Sequence, residues 1–154
     1  MICSIIQLDQ PRHDVFQPRE TLSGTFRLVD VELEDVGHLE FSVVWYTEGK
    51  GDEDIGVHFF ETLDWTNGML RAAASGEDGL PSRNSVCRAS ETADDGACFR
   101  FSVTLPASPL SYYGMILKIH WCVRVRIFLK NGREVKSEKF FTVGRVPKVQ
   151  VYLN

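Results

Sequence analysis

Between Met115 and Lys130, the residues Leu117, Ile119, Trp121, Val123, Val125, Ile127 and Leu129 alternate without interruption with Lys118, His120, Cys122, Arg124, Arg126, Phe128 and Lys130. Successive side chains of a strand point to opposite faces, so a period of two sustained over this length predicts one long antiparallel strand. Its apolar register must be buried against a second layer. Its other register carries four fixed positive charges and a histidine to the surface. This strand says more about the fold class than about the function.

The same period recurs elsewhere. Ile2 to Leu8 reads as an opening strand, and Thr21 to Val29 as a second with Leu22, Gly24, Phe26 and Leu28 on one face. His38 to Thr47 has Leu39, Phe41, Val43 and Trp45 in its inward register, and Ile55 to Leu63 resumes after a charged, glycine-containing connection. Phe99, Phe101, Val103 and Leu105 alternate with polar residues up to Pro106. Asn131-Gly132 predicts a two-residue type I′ turn that folds residues 134–143 back on the long strand. The alternation falters at Lys139, Phe140 and Phe141, which predicts a bulge or a change of sheet. Val149, Val151 and Leu153 form a last short strand with an edge free to pair. Residues 66–97 are rich in Gly, Ala, Ser, Asp and Glu and read as a long loop or insertion, with a short helix or strand around Met69 to Ala74. About eight strands and no strong amphipathic helix predict an all-β fold, a two-sheet antiparallel β-sandwich of immunoglobulin-like architecture.

At 154 residues the chain fits a single domain, 1–154, with enough length to bury a core without metal or disulfide staples. A net charge of −4 argues against bulk attraction to nucleic acid. The start, Met1-Ile-Cys-Ser-Ile-Ile-Gln-Leu, lacks the charged and apolar regions of a signal peptide, and no apolar run approaches the ~20 residues of a membrane span. A cytoplasmic location is the expectation. Cys3, Cys87, Cys98 and Cys122 are scattered and expected as thiols; a Cys87–Cys98 bridge is the alternative for an oxidising compartment.

Two segments carry a family resemblance. Phe16-Gln-Pro-Arg-Glu-Thr-Leu-Ser-Gly24 resembles the aromatic-x-Pro-Gly-Glu-x-aliphatic-x-Gly motif near the start of arrestin-fold domains. Phe99-Arg-Phe-Ser-Val-Thr-Leu-Pro-Ala-Ser-Pro-Leu-Ser-Tyr-Tyr-Gly114, followed by Ile119-His-Trp-Cys-Val-Arg-Val, is similar to a succession found in α-arrestins, retromer subunits of that superfamily and bacterial sporulation-control proteins. The resemblance implies an arrestin-like sandwich with a scaffold or adaptor surface. Arrestins have two such sandwiches, and this length supplies one. Arg19 stands where the family usually has glycine, the paired lysines that sense receptor phosphates are missing from the opening strand, and no Pro-x-Tyr motif occurs. Receptor desensitisation is therefore not implied.

The sharpest candidate site is the basic face of the long strand: Lys118, His120, Arg124, Arg126 and Lys130, spaced ~6.6 Å per two residues, a match for phosphorylated peptide or acidic headgroups. Glu134 and Glu138 on the hairpin partner offer cross-strand pairs that would neutralise it. His13, His38, His58 and His120 never occur at metal-ligand spacing, and Glu48, Asp52, Glu53 and Asp54 lack the order of a calcium loop. Ser111 has no base that sequence identifies, and no nucleotide-binding or nucleophile-elbow motif appears. The expectation is a non-catalytic cytoplasmic adaptor that uses sheet edges and loops, needs no metal or cofactor, and binds protein partners but not nucleic acid. Val149, Val151 and Leu153 are its edge-pairing residues, with a homodimer or a captured partner strand as the outcome. A peripheral membrane or anion-binding module is the alternative reading, and a hydrolase with an unrecognised site the third.

Overall fold

The computed structural model describes residues 1–10, 14–66, 69–72, 84–88 and 97–144. The strands are β1 (Cys3–Leu8), β2 (Val15–Phe16), β3 (Thr21–Val29), β4 (Val36–Gly49), β5 (Ile55–Thr66), β6 (Met69–Ala72), β7 (Ser85–Arg88), β8 (Cys98–Thr104), β9 (Tyr112–Tyr113), β10 (Leu117–Leu129) and β11 (Glu134–Val143). The helical content among the described residues is a single 3-10 turn at Leu33–Asp35. The small sheet has the order β1-β3-β8-β7; the large one runs β2-β11-β10-β4-β5-β6, with β9 beside the start of β10. All pairings are antiparallel except β2 with β11, where Val15 and Phe16 lie parallel to Thr142 and Val143.

Alternation accounts for how the two sheets meet. Leu22, Phe26, Leu39, Phe41, Val43, Phe99, Phe101, Val103, Trp121, Val123, Val125 and Ile127 are buried in one core between the sheets. Phe26 stacks between Phe41 and Phe99, with centroids at 5.6 and 5.0 Å, and Phe41 meets Phe101 at 4.7 Å. Each such ring contributes roughly 1.5–3 kcal/mol by burial, and each pair ~0.5–1.5 more by ring geometry. Gly24 is dictated by close approach, because a Cβ there would collide with the Gln7 carbonyl oxygen on β1 and lie 2.9 Å from Phe101.

The motif around Pro18 forms the turn between β2 and β3. Glu20 N–H donates to the Gln17 carbonyl at 3.1 Å, Pro18 occupies the second position, and Arg19 the third at φ 68°. That is the type II pattern, whose third position favours glycine. The Glu20 carboxylate accepts the Gln17 N–H at 2.7 Å and the Gln10 side-chain amide at 2.9 Å, bracing the turn from both sides. Further on, Trp121 donates its indole N–H to the Pro109 carbonyl at 2.9 Å, and this fixes the Pro106–Gly114 segment against the core.

The short helix or strand expected around Met69 to Ala74 is a strand, β6, beside β5, and a second strand, β7, joins the other sheet beside β8; residues 67–68, 73–83 and 89–96 lie outside the described residues. Two other expectations are corrected. The β10–β11 hairpin closes through three residues, not a two-residue type I′ turn. Gly132 N–H donates to Leu129 O at 3.0 Å, Leu129 N–H to Arg133 O at 2.8 Å, and only Gly132, at φ 90°, takes a positive φ in the loop. This is a type I turn completed by a left-handed glycine, in which Asn131 needs no positive φ and its side-chain oxygen accepts the Arg133 N–H at 2.9 Å. Nor does β11 bulge: it keeps one register from Phe128↔Glu134 to Trp121↔Phe141. The faltering alternation arises because Lys139 occupies an inward position at the sheet margin, 3.4 Å from Asp14, while Phe140 points outward.

Candidate functional site

The outward face of the large sheet is the surface the fold leaves uncovered. β10 contributes Lys118, His120, Cys122, Arg124, Arg126 and Phe128 to it, and β4 sets Glu48, Tyr46, Val44, Ser42, Glu40 and His38 directly opposite. β11 adds Phe140, Glu138, Lys136 and Glu134. β5 adds Ile55, Val57, Phe60 and Thr62, and β9 adds Tyr113 beside Lys118. The β5 set shares this face because of a bulge. Val43 pairs with Phe59 but Val44 pairs with Val57, so His58 is the extra residue and turns inward, where its Nε2 lies 2.7 Å from the Thr104 carbonyl.

The face divides into two halves. In the half towards Phe128, charges are matched. Arg126 Nη2 lies 2.6 Å from Glu134 and Nη1 3.1 Å from Glu40; Arg124 is 3.5 Å from Glu138, which Lys136 also meets at 3.1 Å. The Arg126 guanidinium also covers the Phe128 ring at 4.9 Å, and His38 stacks on that ring at 4.3 Å. In the half towards Tyr113 apolar and aromatic side chains predominate, with Lys118 and Glu48 at its end. Tyr46, Tyr113 and Phe140 surround His120 with ring centroids 5.1, 5.6 and 6.3 Å away. Val57 is 58% exposed, and Phe140 47%. Single exposed apolar residues are ordinary, whereas contiguous ones mark contact surfaces.

Electrostatics at the boundary favour the neutral forms of Cys122 and Tyr46 and the charged form of Glu138. Burial pushes the Cys122 thiol up to about 12, helped by the Glu138 carboxylate, to which Sγ donates at 3.4 Å. Burial also raises the Tyr46 phenol, and Cys122, Glu138, Glu48 and Glu53 raise it further. Burial works to raise the Glu138 carboxyl, but hydrogen bonds from Lys136 and Cys122 and the charges of Arg124 and Lys136 outweigh it and leave the group lowered.

The residues expected as a basic stripe therefore have separate fates. Lys118 is exposed across from Glu48. His120 Nε2 lies 2.7 Å from Glu48 Oε2. Arg124 and Arg126 are engaged by carboxylates as above. Lys130 is not on the face: the strand ends at Leu129, and Lys130 sits in the turn with its N–H on the Asp35 carbonyl at 2.9 Å. Val149, Val151 and Leu153 lie outside the described residues. Ser111 is buried, its hydroxyl accepting the Val143 N–H at 2.8 Å. All four cysteines are free. Among the described residues no group of three or more His, Cys, Asp or Glu gathers to hold a metal ion, and no helix is long and apolar enough to cross a membrane.

The sequence reading passed over Ile55, Val57, Phe60, Tyr113 and Phe140. The signal for Phe140 was present in the pair Phe140-Phe141, two aromatics in succession that must point to opposite faces of a regular strand.

No protein-family model matches the chain, and no curated protein matches it in sequence. Among solved structures it is similar to Spo0M, a sporulation control protein from Bacillus subtilis, with a TM-score of 0.57 at 12% identity over 94% of this chain. The chain spans about half of that protein, 49% of its length. At such identity the likeness speaks to fold alone, and with the two sheets and the Pro18 turn already described it shows that this chain has an arrestin-like β-sandwich fold.

Proposed function

We propose that the chain is a non-catalytic adaptor module that binds protein through the outward face of its large sheet. The carrying observation is the exposed apolar half of that face, from Val57 and Tyr46 to His120 and Phe140, lying beside a charge-matched half that supplies a polar rim. Apolar centre and polar rim are the anatomy of a protein-binding patch. The anion-binding alternative draws less support, since Arg124 and Arg126 already bond carboxylates. Hydrolase chemistry draws less still: the Ser111 hydroxyl is tied to the backbone and the Cys122 thiol is held protonated. A cytoplasmic setting accords with four free thiols.

The test is affinity capture with the whole chain, comparing the unsubstituted protein with Val57→Asp, Phe140→Asp and, as a control on the small sheet, Ile5→Asp. Proteins lost with the first two and kept by the third support the reading, provided circular dichroism shows all three folded. Capture that ignores Val57 and Phe140 would move the binding surface elsewhere.

A further inference from the structure

The apolar half of the face continues onto a protruding loop, and the loop lies against an acidic hairpin. After Tyr113 the chain turns through Gly114, Met115 and Ile116, with Met115 96% and Ile116 77% exposed. Leu117 then pairs with Gly49, whose Cα is packed under the Ile116 carbonyl. Gly49 ends β4 next to Glu48, and the connection that follows to β5 carries Asp52, Glu53 and Asp54 against a single lysine, Lys50; Lys118 lies across from Glu48. Burial, Cys122 and Glu138 do most to raise the Tyr46 phenol, and Glu48 and Glu53 add to it, so these carboxylates also bear on the aromatic group.

A bare apolar loop tip beside an aromatic surface has two natural occupants, a lipid interface or a protein segment, and the charges decide between them. Each carboxylate at this end opposes an anionic membrane by an amount comparable to the ~1 kcal/mol that each lysine or arginine contributes in favour. Phosphate-bearing peptides meet the same repulsion. A positively charged segment gains from it, both in encounter rate and in orientation.

Resting on the protein-binding reading above, we propose that this end of the sheet docks a partner segment that presents apolar side chains with lysine or arginine beside them. The apolar side chains lie over Ile116, Tyr46 and Val57, and the cations meet Glu53 and Asp54, Glu48 being already bonded to His120.

A displayed random-peptide library selected on the whole chain tests this. The unsubstituted protein enriches aliphatic or aromatic residues adjacent to lysine or arginine. Val57→Asp enriches none of these sequences. The double variant Glu53→Lys, Asp54→Lys keeps the apolar preference, loses the basic one, and binds the original peptides about tenfold more weakly at low salt. If the selected sequences are neutral or acidic, or are indifferent to the double variant, yet still depend on Val57, the partner chemistry is wrong and the docking face stands. Selections that do not differ between the unsubstituted protein and Val57→Asp remove the face and the proposal together. Binding to phosphatidylserine vesicles that is lost on Met115→Asp would assign this end to a lipid surface and overturn the proposal.

Discussion

Cys122 Sγ donates to Glu138 Oε2 at 3.4 Å from a position on the outward face that is nonetheless fully buried. The thiol is closed in by its neighbours on that face, and the carboxylate beside it disfavours the thiolate. In the fold its pKa rises from 9.0 to about 12.

Between these values the folded chain keeps a proton that the unfolded chain has released, so this contribution to stability is complete below pH 9.0 and is lost as pH rises towards about 12. We expect unfolding free energy to fall by up to about 1.4 kcal/mol per pH unit over that window, and less steeply in Cys122→Ala. The Tyr46 phenol, also raised from its ordinary 10.0, adds a decline of the same sign, so the variant curve bends later but does not become flat. Denaturant melts across alkaline pH measure both. Alkylation at neutral pH should reach the exposed Cys87 well before Cys122.

Arg19 holds φ 68° at the third position of a type II turn. A side chain in that region is strained by about 1–2 kcal/mol, part of which glycine returns as unfolded-state entropy. Arg19→Gly should therefore stabilise the protein by about 0.5–1 kcal/mol. A lower denaturation midpoint than the unsubstituted chain would contradict the turn geometry.

Trp121 is fully buried and bonds the Pro109 carbonyl. Trp121→Ala should cost roughly 3–5 kcal/mol, and Trp121→Phe less, since it keeps a ring and loses the bond. Lys118→Ala, on the outward face of the same strand, should change stability by less than about 0.5 kcal/mol. Comparable losses in the urea melts of Trp121→Ala and Lys118→Ala would mean the faces of β10 are reversed.

Gly24 allows β1 to approach β3, and a Cβ there collides with the Gln7 carbonyl oxygen. We expect Gly24→Ala to destabilise by about 1–3 kcal/mol through forced separation of the two strands. Hydrogen exchange should locate the effect in β1, whose amides bond to β3. Uniform loss of protection with β1 unchanged would count against it.

Strand identity and facing were legible wherever one face is buried and the register unbroken: Leu22 to Leu28, Phe99 to Leu105 and Trp121 to Leu129 each alternate because a single sheet face meets the core. The sandwich followed from those periods. The functional face did not, for three physical reasons. The bulge at His58 changes phase within β5, so Val57 and Phe60, three apart, share a face that strict alternation would deny them. The charges of β10 are set by partners far along the chain, such as Glu40, 86 residues from Arg126, which only strand order brings alongside. And the β4–β5 carboxylates acquire meaning only where Leu117 pairs with Gly49 and sets Met115 and Ile116 beside them. Local period decides which side chains are buried; which exposed ones become neighbours depends on register and strand order, and those are settled by the packing of the whole sheet.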